Sequence, residues 1–163
     1  MVSRSLALLI AMLLPTLVVA QEPAGKRILG ETALRQALAG RTFYGRYDGG
    51  IDWIEYYAPD GRSAYWDGCT HDGDWWIADD LVCFRYRGDA YGLSYCWMIY
   101  RAGDQYEFLM PDDGTADPIR AYTTAVREGN REHLPLDTDD CVSVRLAPRA
   151  GPYSRSISTS SQE

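Results

Sequence analysis

Four cysteines are the residues of this sequence with the clearest chemistry. Cys69, Cys83, Cys96 and Cys141 form an even set in a small chain, and such sets pair as disulfides in an oxidising compartment. We therefore expect two disulfides. A metal site is the competing interpretation, because His71 follows Cys69 at C-x-H spacing. One C-x-H run without a second paired ligand run is a weak zinc signal, so we predict no metal site and no cofactor.

The aromatic residues give the best indication of function, with five tryptophans and twelve tyrosines in 163 residues. Trp75 and Trp76 are consecutive, and side chains alternate across a strand, so both rings cannot enter one interior without a bulge. One of the two is expected to be exposed or to lie under a loop. Aromatic rings at the mouth of a barrel suit a sugar face or an apolar small molecule. Trp75 and Trp76 are therefore the ligand-binding candidates, and the alternative is that they fill a tight core.

Two acidic runs resemble known motifs without matching them. Residues 137–140, Asp-Thr-Asp-Asp, resemble the start of a phosphoryl-transfer loop, but Pro135 interrupts the lead-in and no βαβ pattern surrounds them. Residues 112–117 cluster carboxylates beside a glycine, yet they lack EF-hand spacing. We interpret the first run as a solvated loop and the second as a plain turn, with an irregular calcium loop as the alternative for the second.

A catalytic nucleophile is not indicated. The only histidines are His71 and His133, and no serine lies in a G-x-S-x-G elbow. The 23 acidic residues leave a two-carboxylate hydrolase as an alternative, but their spacing selects no pair. We therefore assign no catalytic residue, and the sequence favours a protein that is not an enzyme.

These residues need a scaffold, and residues 81–100 predict its central hairpin. Two runs rich in aromatic and β-branched residues flank a segment bounded by Gly88 and Gly92, which suits a tight reversal. A symmetric turn sets Cys83 opposite Cys96, at a separation that a disulfide can close, and leaves Cys69 for Cys141. The same register places six side chains on one face: Val82, Phe84, Tyr86, Leu93, Tyr95 and Trp97.

The rest of the body reads as short strands separated by turn residues. Turns such as Pro59-Asp60-Gly61 and Asp72-Gly73 are too short to join anything except antiparallel neighbours. We predict a mainly β fold, an antiparallel up-and-down meander that forms a strongly bent sheet or small barrel. Residues 118–128 are ambiguous between helix and strand, and their Tyr-Thr-Thr-Ala-Val content favours strand. The expected strands are 41–47, 51–57, 63–68, 74–78, 81–87, 93–100 and 105–110, with a last strand over 141–146.

One short helix precedes the strands. Residues 31–39 carry Leu34 and Leu38 on one face, Glu31 or Thr32 can serve the N-terminus, and Gly40 suits a left-handed C-terminal cap. The domain organisation that follows is a signal peptide over residues 1–20, a flexible leader over 21–28, a single β-rich domain over 29–147 and a disordered tail over 148–163.

The first twenty residues predict export. One basic residue, Arg4, precedes an apolar run, and Val18-Val19-Ala20 fits signal-peptidase cleavage before Gln21. The apolar run is too short for a permanent membrane span, so we expect a periplasmic or secreted protein without stable membrane insertion after cleavage. The formal net charge is −7, and loss of Arg4 makes it one unit more negative. Such an acidic chain argues against nucleic acid and anionic membranes as partners.

The order of four motifs resembles a family of small exported bacterial proteins of unknown function. The motifs are the short helix before Gly40, the Pro59-Asp60-Gly61 turn, the Gly73-Asp74-Trp75 strand and the paired cysteines, over about residues 30 to 130. Such families have no agreed active site. The resemblance therefore implies an exported domain and transfers no functional residue.

Three functions follow from these observations. The leading hypothesis is a module that binds a small molecule or a glycan through aromatic residues. The second is a protein-interaction or inhibitor domain that presents acidic loops, and the third is the carboxylate-based hydrolase. A deep pocket supports the first function, a flat exposed Trp patch the second, and two carboxyls facing across a cleft the third.

Overall fold

Nine strands and one helix make up the part of the fold that the structure describes. The computed structural model describes residues 22–88, 93–112, 118–138 and 140–141. The elements are β1 (Lys26–Arg27), α1 (Glu31–Leu38), β2 (Arg41–Tyr47), β3 (Asp52–Tyr57), β4 (Arg62–Trp66), β5 (Thr70–Ala78), β6 (Leu81–Tyr86), β7 (Tyr95–Ala102), β8 (Gln105–Leu109) and β9 (Arg120–Glu128).

Eight of these strands close into a barrel. Each strand from β2 to β8 pairs antiparallel with its successor, and β9 pairs back onto β2. The prediction of an antiparallel up-and-down meander that closes toward a small barrel is thus confirmed. Closure satisfies the backbone groups that the two edges of an open sheet would leave unpaired. The short strand β1 lies beside the C-terminal part of β7, where Lys26 pairs with Arg101 and Arg27 with Tyr100.

The hairpin β6–β7 has the predicted register. Val82 lies opposite Trp97 and Cys83 opposite Cys96. The structure contains the disulfide Cys83–Cys96 on this pair of strands, and a second disulfide joins Cys69 to Cys141. The turn residues 89–92 lie outside the described residues.

Several boundaries differ from the sequence prediction. β5 begins at Thr70, four residues before the expected start. We expected Asp72-Gly73 to form a turn, but both residues pair with β4 and lie within the strand. The ambiguous segment is a strand, β9, as favoured. Lys26 and Arg27, within the expected leader 21–28, form β1. Residues 1–21, 113–117 and 142–163 lie outside the described residues, and so do the expected signal peptide, most of the expected last strand and the expected tail.

The helix lies against one end of the barrel, which we call the helix end. Leu34 and Leu38 are fully buried in the same cluster as the barrel interior, and Gly40 has the left-handed φ of 77° expected after the helix. The N-terminal cap differs from the prediction. Gly30 occupies the cap position, and no side chain of the described residues forms a capping hydrogen bond there. Among the described residues, none of the helical structure has the length and apolar character of a membrane span.

The barrel interior is filled largely by aromatic side chains. Phe43 makes edge-to-face contacts with Tyr57 and Tyr106, at ring-centroid distances of 5.1 and 5.3 Å. Gly45 has a specific role in this packing, because a Cβ there would lie 2.2 Å from the indole of Trp53. The absence of a side chain at Gly45 therefore allows the Trp53 ring to pack against the backbone of β2.

Candidate functional site

Polar aromatic side chains collect at the end of the barrel opposite the helix. Tyr47, Tyr65 and Tyr86 lie at or near the ends of β2, β4 and β6, while His71 and Tyr95 lie near the starts of β5 and β7. In an antiparallel meander these strand ends and starts meet at the same rim. We call this rim, defined by these five residues, the tyrosine end.

The rings at the tyrosine end form one contiguous group. The ring centroids of Tyr65 and Tyr86 are 5.3 Å apart, and the His71 ring lies 5.8 Å from each of them. Tyr86 also lies 6.3 Å from Tyr95, and the hydroxyls of Tyr47 and Tyr65 are hydrogen-bonded at 3.2 Å. The group therefore offers both ring faces and hydroxyl groups at one place.

A carboxyl group lies buried beneath these rings. Glu55 is 5% exposed, and it faces inward because it alternates along β3 with Ile54 and Tyr56 and pairs with Tyr65. Its two oxygens accept hydrogen bonds of 2.9 Å from the hydroxyls of Tyr57 and Tyr86. Burial raises the pKa of Glu55 to about 8, although both hydrogen bonds act in the opposite direction. At neutral pH this carboxyl is mainly protonated.

The tyrosine hydroxyls are also held in their neutral form. Burial raises the pKa of Tyr47 to about 12, against the hydrogen bond with Tyr65, which lowers it. Burial likewise raises the pKa of Tyr65, with the neighbouring Tyr47 as the next cause. Neutral hydroxyls both donate and accept hydrogen bonds, which is the property that polyhydroxylated ligands require. Because their pKa values are raised, Tyr47 and Tyr65 stay protonated at neutral pH and are poorly suited to act as bases.

Several buried donors have no acceptor among the described residues, and the one on Trp53 lies next to the tyrosine end. The indole N–H of Trp53 is buried, and no described side chain or backbone carbonyl accepts a hydrogen bond from it. Trp53 follows Asp52 at the start of β3, next to the tyrosine end, and its ring lies 6.3 Å from that of Tyr47. Buried donors are normally paired with protein, water or ligand. The N–H of Trp53 is therefore a candidate donor to a water or a ligand near Tyr47.

Exposed apolar side chains surround the same end. Among the described residues five large hydrophobic side chains are exposed, and four of them lie at the tyrosine end while Leu29 lies by the helix. The sequence predicts Leu93 on the inner face of the hairpin, but it is 50% exposed because β7 starts only at Tyr95. The four, which we call the apolar rim, are Ile51, Trp66, Leu93 and Ile119.

The structure separates the two predicted ligand-binding residues. Trp75 is 2% exposed in the core, where its indole N–H donates to the carbonyl of Ala58 at 2.8 Å. Trp76 faces outward, opposite Cys83 in the register of β5 and β6, and the guanidinium of Arg85 lies 6.0 Å from its ring. Their rings diverge as strand alternation requires. Both lie in the second half of β5, away from the tyrosine end, because the strand starts at Thr70.

The buried carboxyl groups of Glu55 and Glu107 do not face each other as a catalytic pair. Glu107 alternates with the inward-facing Tyr106 and Phe108, so it points to the outer face, whereas Glu55 points inward. Glu107 instead forms an ion pair with Arg120 at 3.0 Å and accepts a hydrogen bond from the backbone of Ala24. The two carboxyls therefore lie on opposite faces of the wall.

The acidic loops are only partly described. The carboxylate of Asp140 accepts a hydrogen bond from the backbone N–H of Thr70. Residues 113–117 lie outside the described residues, and they make up most of the acidic run 112–117 that we compared with a calcium loop. Asp139, in the acidic run 137–140, also lies outside them.

One group of residues on the rim could hold a metal. Cys69, His71 and Cys141 place their donor atoms within 4.8 Å of one another, although the two cysteines are joined as a disulfide. The C-x-H pattern in the sequence included Cys69 and His71 but not Cys141.

The tyrosine end was missed by sequence reasoning. Its signal was the alternation in β3, where Glu55 takes the position between two inward aromatic residues, Trp53 and Tyr57. A carboxyl at an inward position of a predicted barrel strand marks a polar site inside the barrel.

Comparison with known proteins adds no further constraint. No protein-family model, curated protein or solved structure matches this chain.

Proposed function

We propose that this protein binds a small molecule at the tyrosine end, and that a glycan or another ligand rich in hydroxyl groups is the best match. The observation that carries the proposal is the convergence of tyrosine rings from four strands, with their hydroxyls, above the buried carboxyl of Glu55. Ring faces pack against the C–H face of a sugar, while neutral hydroxyls exchange hydrogen bonds with those of the ligand.

Two further features support binding at this end. The indole N–H of Trp53 is a buried donor without an acceptor among the described residues, and a ligand oxygen could accept its hydrogen bond. The apolar rim adds contact area for the less polar part of a ligand, since exposed apolar side chains gathered at one place are typical of binding surfaces. Together they favour the tyrosine end over the outer-face ring of Trp76.

The apolar rim also favours a second candidate function, contact with a protein partner. Exposed side chains such as Trp66 and Ile51 are typical of the buried centre of an interface. In that case a rim substitution abolishes complex formation, while the loss of a hydroxyl inside the barrel has no effect.

We also propose that the protein works outside the cytoplasm, in the periplasm or beyond. Two disulfides fit an oxidising compartment. The N-terminal apolar segment and the resemblance to small exported bacterial proteins support the same location.

The test is a native mass-spectrometric screen of the mature protein against a panel of defined oligosaccharides and small aromatic glycosides. We expect at least one member to bind the wild type and to bind Tyr65→Phe at least about tenfold more weakly, through loss of hydrogen bonds. Tyr56→Phe is the matched control, because Tyr56 alternates with the inward Glu55 and Tyr57 and so faces outward on the same wall. Equal weakening by both variants contradicts the proposal.

A further inference from the structure

Three potential metal ligands meet on the barrel wall at the tyrosine end. The Nε2 atom of His71 lies 3.0 Å from the sulfur of Cys141 and 3.9 Å from the sulfur of Cys69. The two sulfurs belong to one disulfide, and their Cα atoms are 5.2 Å apart. A thiolate pair with an imidazole is a combination that zinc prefers.

A fourth ligand lies beside the same imidazole. The carboxylate of Asp67 is 3.6 Å from His71 Nε2. In a tetrahedral zinc site, bond lengths of roughly 2.0 to 2.3 Å place neighbouring ligand atoms about 3.5 Å apart. The separations between His71 and the other three ligand atoms are close to that value. The two sulfurs, which are bonded to each other in the disulfide, would have to move apart.

We propose that reduction of the Cys69–Cys141 disulfide creates a zinc site formed by Cys69, His71, Cys141 and Asp67. A dithiol reductant supplies two electrons and two protons, so the S–S bond breaks, two thiols form and the dithiol becomes a disulfide. Zn²⁺ then displaces the two thiol protons and binds both thiolates, the neutral Nε2 of His71 and one oxygen of Asp67. The site exists only in the reduced protein, because a disulfide offers no thiolate.

The ligands stay together without the S–S bond. The backbone N–H of Asp140 donates to the carbonyl of Thr70 at 3.0 Å, and the carboxylate of Asp140 accepts from the N–H of Thr70. These two hydrogen bonds hold Cys141 next to residues 69–71. The N–H of Asp67 also donates to the carbonyl of Cys69 at 3.3 Å, which closes the turn that carries two of the ligands.

The second disulfide provides an internal control. Neither Cys83 nor Cys96 has a histidine or a carboxylate within two residues in the sequence. In the sheet register, Cys83 lies opposite Trp76 on one side and Cys96 on the other. Reduction of this bond therefore yields two thiols without the further ligands that a tetrahedral zinc site needs.

The test uses Co²⁺ as a spectroscopic probe of the protein reduced with a phosphine under anaerobic conditions. We expect one Co²⁺ per chain, with thiolate charge-transfer absorption and the intense visible bands of tetrahedral cobalt, both lost when Zn²⁺ is added. The Cys83→Ser/Cys96→Ser variant should give the same spectrum. The oxidised wild type and the Cys69→Ser/Cys141→Ser variant should give neither signal.

The conservative variant His71→Gln guards against an effect of misfolding. It keeps both thiols, and it should bind Co²⁺ at least about tenfold more weakly while its far-ultraviolet circular dichroism matches that of the reduced wild type. Octahedral cobalt spectra, an unchanged affinity in His71→Gln, or equal binding by Cys69→Ser/Cys141→Ser would each overturn the proposal.

Discussion

The hydroxyl of Tyr86 donates a hydrogen bond of 2.9 Å to the carboxyl of Glu55 across the barrel interior. The two residues lie on β6 and β3, which are separated in the wall by β4 and β5. The bond therefore spans the lumen rather than linking neighbouring strands. It joins the aromatic core to the tyrosine end, at a carboxyl whose pKa burial raises.

The first prediction concerns this pH dependence. The folded-state pKa of Glu55 is raised from 4.5 to about 8, so between these values the folded protein holds a proton that the unfolded chain has released. The contribution of Glu55 to stability is therefore greatest below pH 4.5, falls as pH rises through this window and levels off above about pH 8. We expect a loss on the order of a few kcal/mol across the window.

The matched variant for this prediction is Glu55→Gln. Its amide imitates the protonated carboxyl toward Tyr57 and Tyr86 and does not titrate. The difference in unfolding free energy between wild type and variant, measured by chemical denaturation at pH 5 and pH 8.5, should favour the variant more at the higher pH. A difference that is constant with pH would show that Glu55 titrates normally.

The second prediction concerns the hydrogen bond itself. Tyr86→Phe removes a donor that stabilises the ionised form of Glu55, so the pKa of Glu55 should rise further. The variant should also lose about 1–3 kcal/mol of stability, because a buried acceptor loses its partner. Carboxyl ¹³C chemical shifts followed through a pH titration measure the change, and a lowered pKa in Tyr86→Phe would contradict the assignment.

The third prediction separates the two consecutive tryptophans. Trp75→Ala should cost about 3–5 kcal/mol, because it leaves a cavity and removes one of the two hydrogen bonds that the carbonyl of Ala58 accepts. Trp76→Ala removes an outward-facing ring and should change stability by less than about 1 kcal/mol. Denaturation curves of the two single variants provide the comparison, and equal large losses would show that both rings are core.

The fourth prediction compares the two disulfides. Cys69 and Cys141 are 72 residues apart, whereas Cys83 and Cys96 are 13 apart. A longer closed loop restricts the unfolded chain more, so loss of the first bond should cost about 4.5 kcal/mol and loss of the second about 3 kcal/mol. The paired serine variants, unfolded under non-reducing conditions, test the order. A greater loss from the Cys83→Ser/Cys96→Ser variant would contradict it.

The fifth prediction concerns export. The Val18-Val19-Ala20 sequence before Gln21 predicts that exported protein begins at Gln21. Intact-mass measurement of material recovered from the periplasm or the medium checks the N-terminus. A mass that includes residues 1–20 would be inconsistent with a cleaved signal peptide.

The fold was largely predictable because its determinants are local. Alternation in the strands, short turns and the glycines around the hairpin predict antiparallel neighbours, and the register that opposes Cys83 to Cys96 follows from counting outward from the turn. The start of β5 was not predictable in this way. Asp72-Gly73 is typical of a turn, but the pairing of Gly73 with Ser63 keeps it within the strand. Tertiary pairing overrode local turn preference there.

The candidate site was less predictable because its members are distant in the sequence. Tyr47, Tyr65, Tyr86 and Tyr95 each look like ordinary strand residues, and only barrel closure brings their rings together. The consecutive pair Trp75-Trp76 was the more conspicuous local pattern. Alternation sends one of these rings to the core and the other to the outer face, so the pattern does not build a site.

The most direct test of the proposed function is to locate a bound ligand by NMR. The oligosaccharide or glycoside that binds best in the native mass-spectrometric screen is titrated into protein labelled in its tyrosine and tryptophan rings. Binding at the tyrosine end predicts the largest shifts for Tyr47, Tyr65, Tyr86 and the indole N–H of Trp53, with Trp76 unchanged. Shifts confined to Trp76, or spread evenly over the outer-face rings, would contradict the account.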